Sequence, residues 1–153
     1  MTEMILILHV LFGVVCLLAA VWVFVDVLNV RAATLKRIRI ASRAVAVFMW
    51  LNFLFGGYWY VVFYKADKAV ILNGPLPLAH NIFMETKEHL VILLLLLATY
   101  LPIAAADNLA ENRNARRLTL VVAAAIVLFA LLMDGLGAGI GIGVKSGLLA
   151  QPH

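Results

Sequence analysis

The chain has 153 residues, of which 65% are hydrophobic and only 13% are charged. A soluble domain is normally about half apolar and about a quarter charged, so this composition excludes an ordinary water-soluble protein and indicates a membrane protein. The net charge of +4 and the pI near 9.5 do not indicate a nucleic-acid partner, because the basic residues lie between apolar runs, as the positive-inside rule requires. The expected surroundings are the lipid bilayer.

Four apolar segments approach or exceed the length needed to cross a bilayer. They cover residues 4–28, 44–63, 88–106 and 118–134, with approximate ends. Crossing ~30 Å of hydrocarbon takes about 20 helical residues, and a single span satisfies its own backbone hydrogen bonds in lipid only as a helix. The predicted fold is therefore all-α: an integral membrane four-helix bundle that forms a single domain over residues 1–153.

The charges of the connecting loops predict the orientation. Eight of the twelve Lys and Arg residues lie between spans one and two or between spans three and four, at positions Arg31, Lys36, Arg37, Arg39, Arg43, Arg113, Arg116 and Arg117. Cytoplasmic loops carry such an excess of basic residues. We therefore predict a multi-pass protein of the inner (plasma) membrane with both termini outside.

The longest connection lies between spans two and three, on the predicted outer side. An aromatic belt precedes it at the end of span two, formed by Tyr58, Trp59, Tyr60 and Tyr64. The turn sequence Asn73-Gly74-Pro75-Leu76-Pro77 interrupts the connection. Since proline suits a first helical turn, the third helix is expected to restart at about residue 78, outside the membrane, and to enter it near Glu88.

Glycines alternate in the segment DGLGAGIGIGVKSG, at every second residue from Gly135 to Gly143. Over about ten residues this run resembles the glycine run in the rotor-ring subunit of ATP synthases, which the rest of the chain does not follow. Two simpler interpretations stay open. The small residues permit close helix packing, or the segment is a flexible outer tail.

Ionisable residues inside membrane spans are costly and usually face a bundle interior, a cavity or a partner. At about 1.5 Å per helical residue, His9 lies roughly 7 Å below the outer face. By the same measure His89 and Asp134 lie roughly 25 Å and 24 Å above the inner face. Three helices thus bring polar groups to a similar outer layer of the membrane, which makes this layer the candidate site.

The start of the third helix adds possible metal ligands. Asn81, Glu85 and His89 follow one another at intervals of four residues and share one helix face, beside the stripe of His80, Met84 and Glu88. Imidazole and carboxylate groups suit zinc, iron, manganese or copper. The predicted mixed metal site consists of His9, Glu85, His89 and Asp134, with Glu88 or His80 as a further ligand or in the outer shell.

Each of these residues also has a structural interpretation. His9 can hydrogen-bond to a neighbouring helix, and Glu85 and Glu88 can be interfacial charges beside Lys87. Asp134 can mark the end of span four and pair with Lys145. For Asp26, near the basic loop, a salt bridge to Arg31 or Arg43 is the favoured interpretation.

Two histidines from different helices at one depth are also suitable axial ligands of a b-type haem. His9 and His89 are the natural pair, and Met84 is a substitute for either. A third possibility has no metal. The chain is then a small accessory subunit of a larger membrane complex, with the polar cluster as a quinone or proton site or as a contact with the partner.

Two segments carry a family resemblance. The first span, LILHVLFGVVCLLAAVWVF, places His9 four residues before Gly13, and the third span reads TKEHLVILLLLLATYLP. Both resemble small membrane families that include the haem-binding bacterial protoporphyrinogen oxidase and the copper-resistance D proteins. The resemblance implies haem or metal binding, with the functional histidine of the family at His9. The lysine of the family is not matched, because Lys87 is offset and His89 occupies the nearby position.

The sequence thus predicts a membrane protein that binds haem b or a directly ligated copper, iron or zinc ion near its outer face. The expected role is redox chemistry or electron transfer, as a membrane oxidoreductase or an electron-transfer subunit. His9 and His89 are the predicted cofactor ligands. The alternative is the accessory subunit without a metal. Homo-oligomerisation or association with other membrane subunits is expected in both cases.

Overall fold

The computed structural model describes residues 2–150, and this part of the chain is all-α without strands. Its main helices are α1 (Thr2–Leu28), α2 (Leu35–Leu72), α3 (Glu85–Ala104) and α4 (Arg113–Leu149). A short 3-10 helix, Ala32–Thr34, precedes α2, and a π-helical turn, Ala79–Met84, leads directly into α3. All four helical segments are long and apolar enough to cross a membrane, as the sequence predicted.

Two helices are much longer than the apolar spans within them. α2 has 38 residues and α4 has 37, which correspond to about 57 Å and 56 Å of helix. Only about 30 Å of each is needed to cross the hydrocarbon core. The C-terminal ends of both helices therefore continue beyond the predicted span ends at residues 63 and 134, and they project from the bundle together.

Consecutive helices are neighbours in the bundle. α1 packs against α2 and α4, and α3 packs against α2 and α4, so α4 closes the ring onto α1. The main core lies where all four helices pack, and its largest fully buried residues include Ile38, Met49, Leu101, Leu109 and Ile126. This apolar core fills the half of the bundle that holds the end of α1 and the start of α4.

A second, smaller core joins the projecting helix ends. It consists of Tyr64, Ile71, Ala79, Met84 and Ile140, with Trp59, Tyr60, Phe83 and Val144 packed against it. None of these residues belongs to α1. We call this part of the structure, formed by the ends of α2 and α4 with the turn Ala79–Met84, the outer extension, after the side on which the loop charges predict it to lie.

The glycine run belongs to α4 and is helical to Leu149, rather than a flexible tail. Gly139, Gly143 and Gly147, four residues apart, face the outer extension, where added Cβ atoms would meet Phe83, Ala79 and Val70. A Cβ on Gly135 or Gly141 would meet nothing within 4 Å. Close packing therefore accounts for one stripe of these glycines, but not for all of them.

At the opposite end of the bundle, α1 and α2 are joined by a charged pair. Arg37 donates from Nε and Nη2 to the two Asp26 carboxylate oxygens, both at 2.6 Å. Trp22 Nε1 donates to Asp26 at 3.1 Å, and the Arg37 guanidinium lies 5.8 Å from the Trp22 ring centre. The predicted partners, Arg31 and Arg43, were wrong. The 3-10 turn brings the first turn of α2 back alongside the end of α1, which places Arg37 opposite Asp26.

Replacing Arg37 with alanine is expected to destabilise the bundle, because the Asp26 side chain is only 9% exposed and would lose its counter-charge. The same substitution at Arg43, which is exposed on the same helix and makes no ion pair within the described residues, is the matched control and should have little effect. The free energy of unfolding in mixed detergent micelles is measured for both variants. Equal destabilisation by the two substitutions would contradict the assigned pair.

Candidate functional site

His9 is held by the backbone of α2. Its Nδ1 lies 2.9 Å from the Asn52 carbonyl oxygen. A carbonyl oxygen only accepts, so Nδ1 carries the hydrogen and Nε2 is the nitrogen left to accept a proton or a ligand. The ring packs on Gly56, where an added Cβ would lie 2.5 Å from Nδ1. A backbone acceptor and a glycine four residues later thus fix the imidazole in the bundle.

Lys87 of α3 and Asp134 of α4 lie close enough to His9 for their charges to act on it. The Lys87 amine lies 3.0 Å from the Cβ position of Gly137, which is on the same helix face as Asp134. The charges of Lys87 and Asp134 act on each other and on His9. We call His9, Lys87 and Asp134 the polar layer; its members come from three helices, and the fourth helix contributes the Asn52 carbonyl.

The polar layer is not a closed salt bridge. Among residues 2–150 the one ion pair within 4 Å is that between Asp26 and Arg37, so the Lys87 amine and the Asp134 carboxylate are not in direct contact. His9 and Lys87 are partly buried, whereas Asp134 is exposed at the surface of the bundle. The pairing of Asp134 with Lys145 that the sequence offered is not among the ion pairs of the described residues either.

Lys87 is the member that the sequence did not identify. It lies two residues from both Glu85 and His89, and positions two apart on a helix point about 200° away from each other. Because Lys87 faces the polar layer, Glu85 and His89 face away from it. The face-sharing pattern was visible in the sequence, but the direction in which each face turns depends on how α3 packs.

Glu85 and His89 line an open groove on the outside of the bundle. The groove has a volume of about 380 Å³ and is lined by Asn81, Ile82, Glu85, Thr86, His89 and Leu90. His89 Nδ1 donates to the Glu85 carbonyl oxygen at 2.7 Å, which leaves its Nε2 available. The predicted shared face of Asn81, Glu85 and His89 is therefore present, but it does not turn toward His9.

Glu88 and His80 contact the tyrosines of the aromatic belt. Tyr60 donates its hydroxyl hydrogen to Glu88, and the Tyr64 hydroxyl lies 3.1 Å from His80 Nδ1. The two tyrosine rings stack with their centres 5.2 Å apart. These contacts fix the start of α3 against α2 and keep Glu88 and His80 with the belt.

The six predicted ligands thus occupy three places: the polar layer, the outer groove and the aromatic belt. Within residues 2–150, no three His, Cys, Asp or Glu side chains converge as ligands of one metal ion. The two predicted haem ligands have different surroundings, since His9 lies against α2 and His89 lines the groove on α3. The haem stays a prediction. Of the predicted set, His9 and Asp134 are the pair that the bundle brings together.

Comparisons of the chain with protein-family models, with curated proteins and with solved structures find no match. The resemblance to haem-binding and copper-resistance families therefore rests on the two short segments around His9 and His89.

Proposed function

We propose that this chain is a small membrane subunit that takes up and releases protons at the polar layer for a redox reaction in the outer half of the bilayer. The observation that carries the proposal is the placement of His9 of α1 against the Asn52 carbonyl oxygen of α2, and of the Lys87 amine of α3 against Gly137, one helical turn from Asp134 in α4. Ionisable groups at such positions are expensive and mark ion paths, proton relays or cofactor sites.

The three groups have different parts in the proposed transfer. His9 accepts a proton at Nε2 and is held in position through Nδ1 and the Asn52 carbonyl oxygen. Asp134, at the predicted outer end of span four, exchanges protons with the outside. Lys87 of α3 supplies the positive charge of the polar layer, beside the Asp134 end of α4.

The surroundings of the polar layer favour access from one side only. Beyond it toward the outside lie polar pairs, Tyr60 with Glu88 and Tyr64 with His80. Toward the inside lies the main apolar core, which contains residues such as Met49, Leu101 and Ile126. A proton therefore reaches the polar layer from the outer side, and the apolar core prevents it from passing through the whole membrane.

Haem ligation by His9 is the second candidate function. A ligating histidine usually donates its other ring hydrogen to a carbonyl or carboxylate oxygen, as His9 does to Asn52. This fits one axial ligand of a b-type haem, which would supply electron transfer at the polar layer. A Soret band in the purified protein that is lost in His9→Ala would favour this function, and its absence in the native protein would contradict it.

The proton function is tested by following the protonation of His9 with ¹⁵N NMR, and of Asp134 with its infrared carboxyl band, in proteoliposomes of known orientation. A pH step on the outer side should change both signals, and the same step on the inner side should not. Asp134→Asn and Lys87→Met should move the pH midpoint of His9 protonation in opposite directions, because one removes a negative charge and the other a positive charge.

Lys145→Met is the matched control. Lys145 is also a lysine near the predicted outer end of the bundle, but it is exposed on α4 in the outer extension. Its replacement should leave the His9 midpoint unchanged. Two results would refute the proposed proton site. One is a pH midpoint of His9 protonation that is the same in the native chain, in Lys87→Met and in Asp134→Asn. The other is an equal response of the His9 signal to pH on the two sides of the membrane.

A further inference from the structure

A basic groove lies at the start of α4, at the end of the bundle opposite the polar layer. It has a volume of about 280 Å³ and is lined by Arg113, Arg116, Arg117 and Leu120. Residues with this spacing share one face of a helix. We call this site the arginine groove. The loop charges predict that it lies at the inner face of the membrane.

No acid of the chain balances the arginines of this groove. The first turn of α4 contains no acidic residue, and none of the three arginines forms an ion pair within residues 2–150. In the preceding loop, the Asp107 carboxylate accepts hydrogen bonds from Asn108 N and Asn112 Nδ2, and Glu111 is exposed. Positive charges one helical turn apart repel each other, and near a helix N-terminus they also oppose the helix dipole. An anion bound in the groove would relieve both effects.

Arg116 forms a fixed wall of the groove. Its Nε donates to the Val27 carbonyl oxygen at 3.0 Å, and its Nη2 donates to the carbonyl oxygen of Leu28. A guanidinium has more N–H donors than these two bonds use, so others remain for a ligand. Two backbone N–H groups in the first turn of α4 already bond to the Asn112 side chain. The donors of the site are therefore the arginine side chains rather than the helix end.

The surface of α4 that continues from the groove toward the middle of the membrane is apolar. Its exposed side chains include Leu118 at 43%, Val121 at 65% and Leu128 at 67%. Leu120, in the lining of the groove, lies where the arginines give way to this surface. A molecule in the groove therefore meets positive charge at one end and an apolar wall at the other. A phospholipid with an anionic head group has the complementary arrangement.

We infer that the arginine groove binds one anionic phospholipid from the adjacent leaflet of the bilayer, with its phosphate between Arg113 and Arg117. Positions four residues apart on a helix have Cβ atoms about 5–6 Å from each other, so both guanidinium groups can reach one phosphate. The planar fork of arginine matches phosphate oxygens in pairs. Basic pockets at the cytoplasmic ends of membrane helices bind anionic head groups in this way. This lipid site does not depend on the proposed proton function, because the main apolar core separates it from the polar layer.

Native mass spectrometry of the full-length protein in detergent tests the inference, because it counts the lipids that stay bound. Phosphatidylglycerol and phosphatidylcholine of the same chain length are titrated separately, and inorganic phosphate is added as a competitor. One phosphatidylglycerol per chain should bind at least about tenfold more tightly than phosphatidylcholine. Arg113→Gln and Arg117→Gln should each weaken phosphatidylglycerol binding about fivefold, the effect of one basic residue at an anionic membrane surface.

Arg43→Gln is the matched control. Arg43 is an exposed arginine on the same predicted side of the membrane, but it does not line the groove. Its replacement should leave phosphatidylglycerol binding unchanged. Equal affinity for the two lipids, native binding in Arg113→Gln and Arg117→Gln, or an equal loss in Arg43→Gln would refute the site. Inorganic phosphate that binds as tightly as phosphatidylglycerol and displaces it would overturn the lipid and assign the groove to a soluble anion.

Discussion

Replacing Gly147 with alanine is expected to destabilise the outer extension by about 1–3 kcal/mol, the usual cost of overpacking. A Cβ at this position would lie 2.6 Å from the Val70 carbonyl oxygen and 3.1 Å from its carbonyl carbon. These are backbone atoms in α2, so they cannot move aside as a flexible side chain would. The helix ends must separate, and their separation loosens the core around Ile71 and Ile140.

Gly141→Ala is the matched control, because Gly141 lies in the same helix with no atom within 4 Å of an added Cβ. Alanine there should stabilise the helix by about 0.5–1 kcal/mol through its higher helix propensity. Unfolding in mixed micelles gives the stability, and the rate of tryptic cleavage at Lys65 and Lys68 reports on the outer extension itself. Stabilisation by both substitutions would show that the contact with Val70 is not tight.

Gly56→Ala is expected to displace His9 and disable the polar layer. A Cβ at this position would overlap the imidazole, at 2.5 Å from Nδ1 and 2.6 Å from Cε1. The ring must leave its place on α2, and the hydrogen bond to the Asn52 carbonyl oxygen is lost. The His9 midpoint should then no longer respond to Lys87→Met or Asp134→Asn, and stability should fall by about 1–3 kcal/mol.

Gly57→Ala adds the same methyl group one residue further along α2, where nothing lies within 4 Å. It should leave the His9 Nδ1–H resonance and its titration unchanged. ¹⁵N NMR of the imidazole compares the two variants directly. If Gly56→Ala preserves the hydrogen-bonded Nδ1 signal, the ring is not packed on that glycine and the geometry of the polar layer must be revised.

The glycine contacts show why patterns of small residues are difficult to interpret from sequence. Gly56 and Gly57 are adjacent and chemically identical, yet one supports the candidate site and the other faces open space. In α4, the glycines at 139, 143 and 147 differ in the same way from those at 135 and 141. Helical spacing groups them into stripes, but only the packing of α2 and the turn before α3 shows which stripe is covered.

The amino-acid sequence alone determined the class of the protein and the number of its helices. Long apolar segments must form helices in lipid, because no other backbone arrangement of a single span satisfies its hydrogen bonds there. The sequence also indicated an outer layer of polar groups, since depth follows from position along a helix. It further showed that Glu85 and His89 share a face, since that depends only on helical periodicity.

Tertiary structure decided which of these groups meet. Depth does not specify rotation about the helix axis, so His9 and His89 appeared equivalent in sequence, whereas in the bundle His9 faces Asn52 and His89 faces outward. The same rotation of α3 brings Lys87 toward Asp134 and leaves Glu85 in the groove. The length of the helices was also decided by packing, because the ends of α2 and α4 bury their apolar residues only against each other.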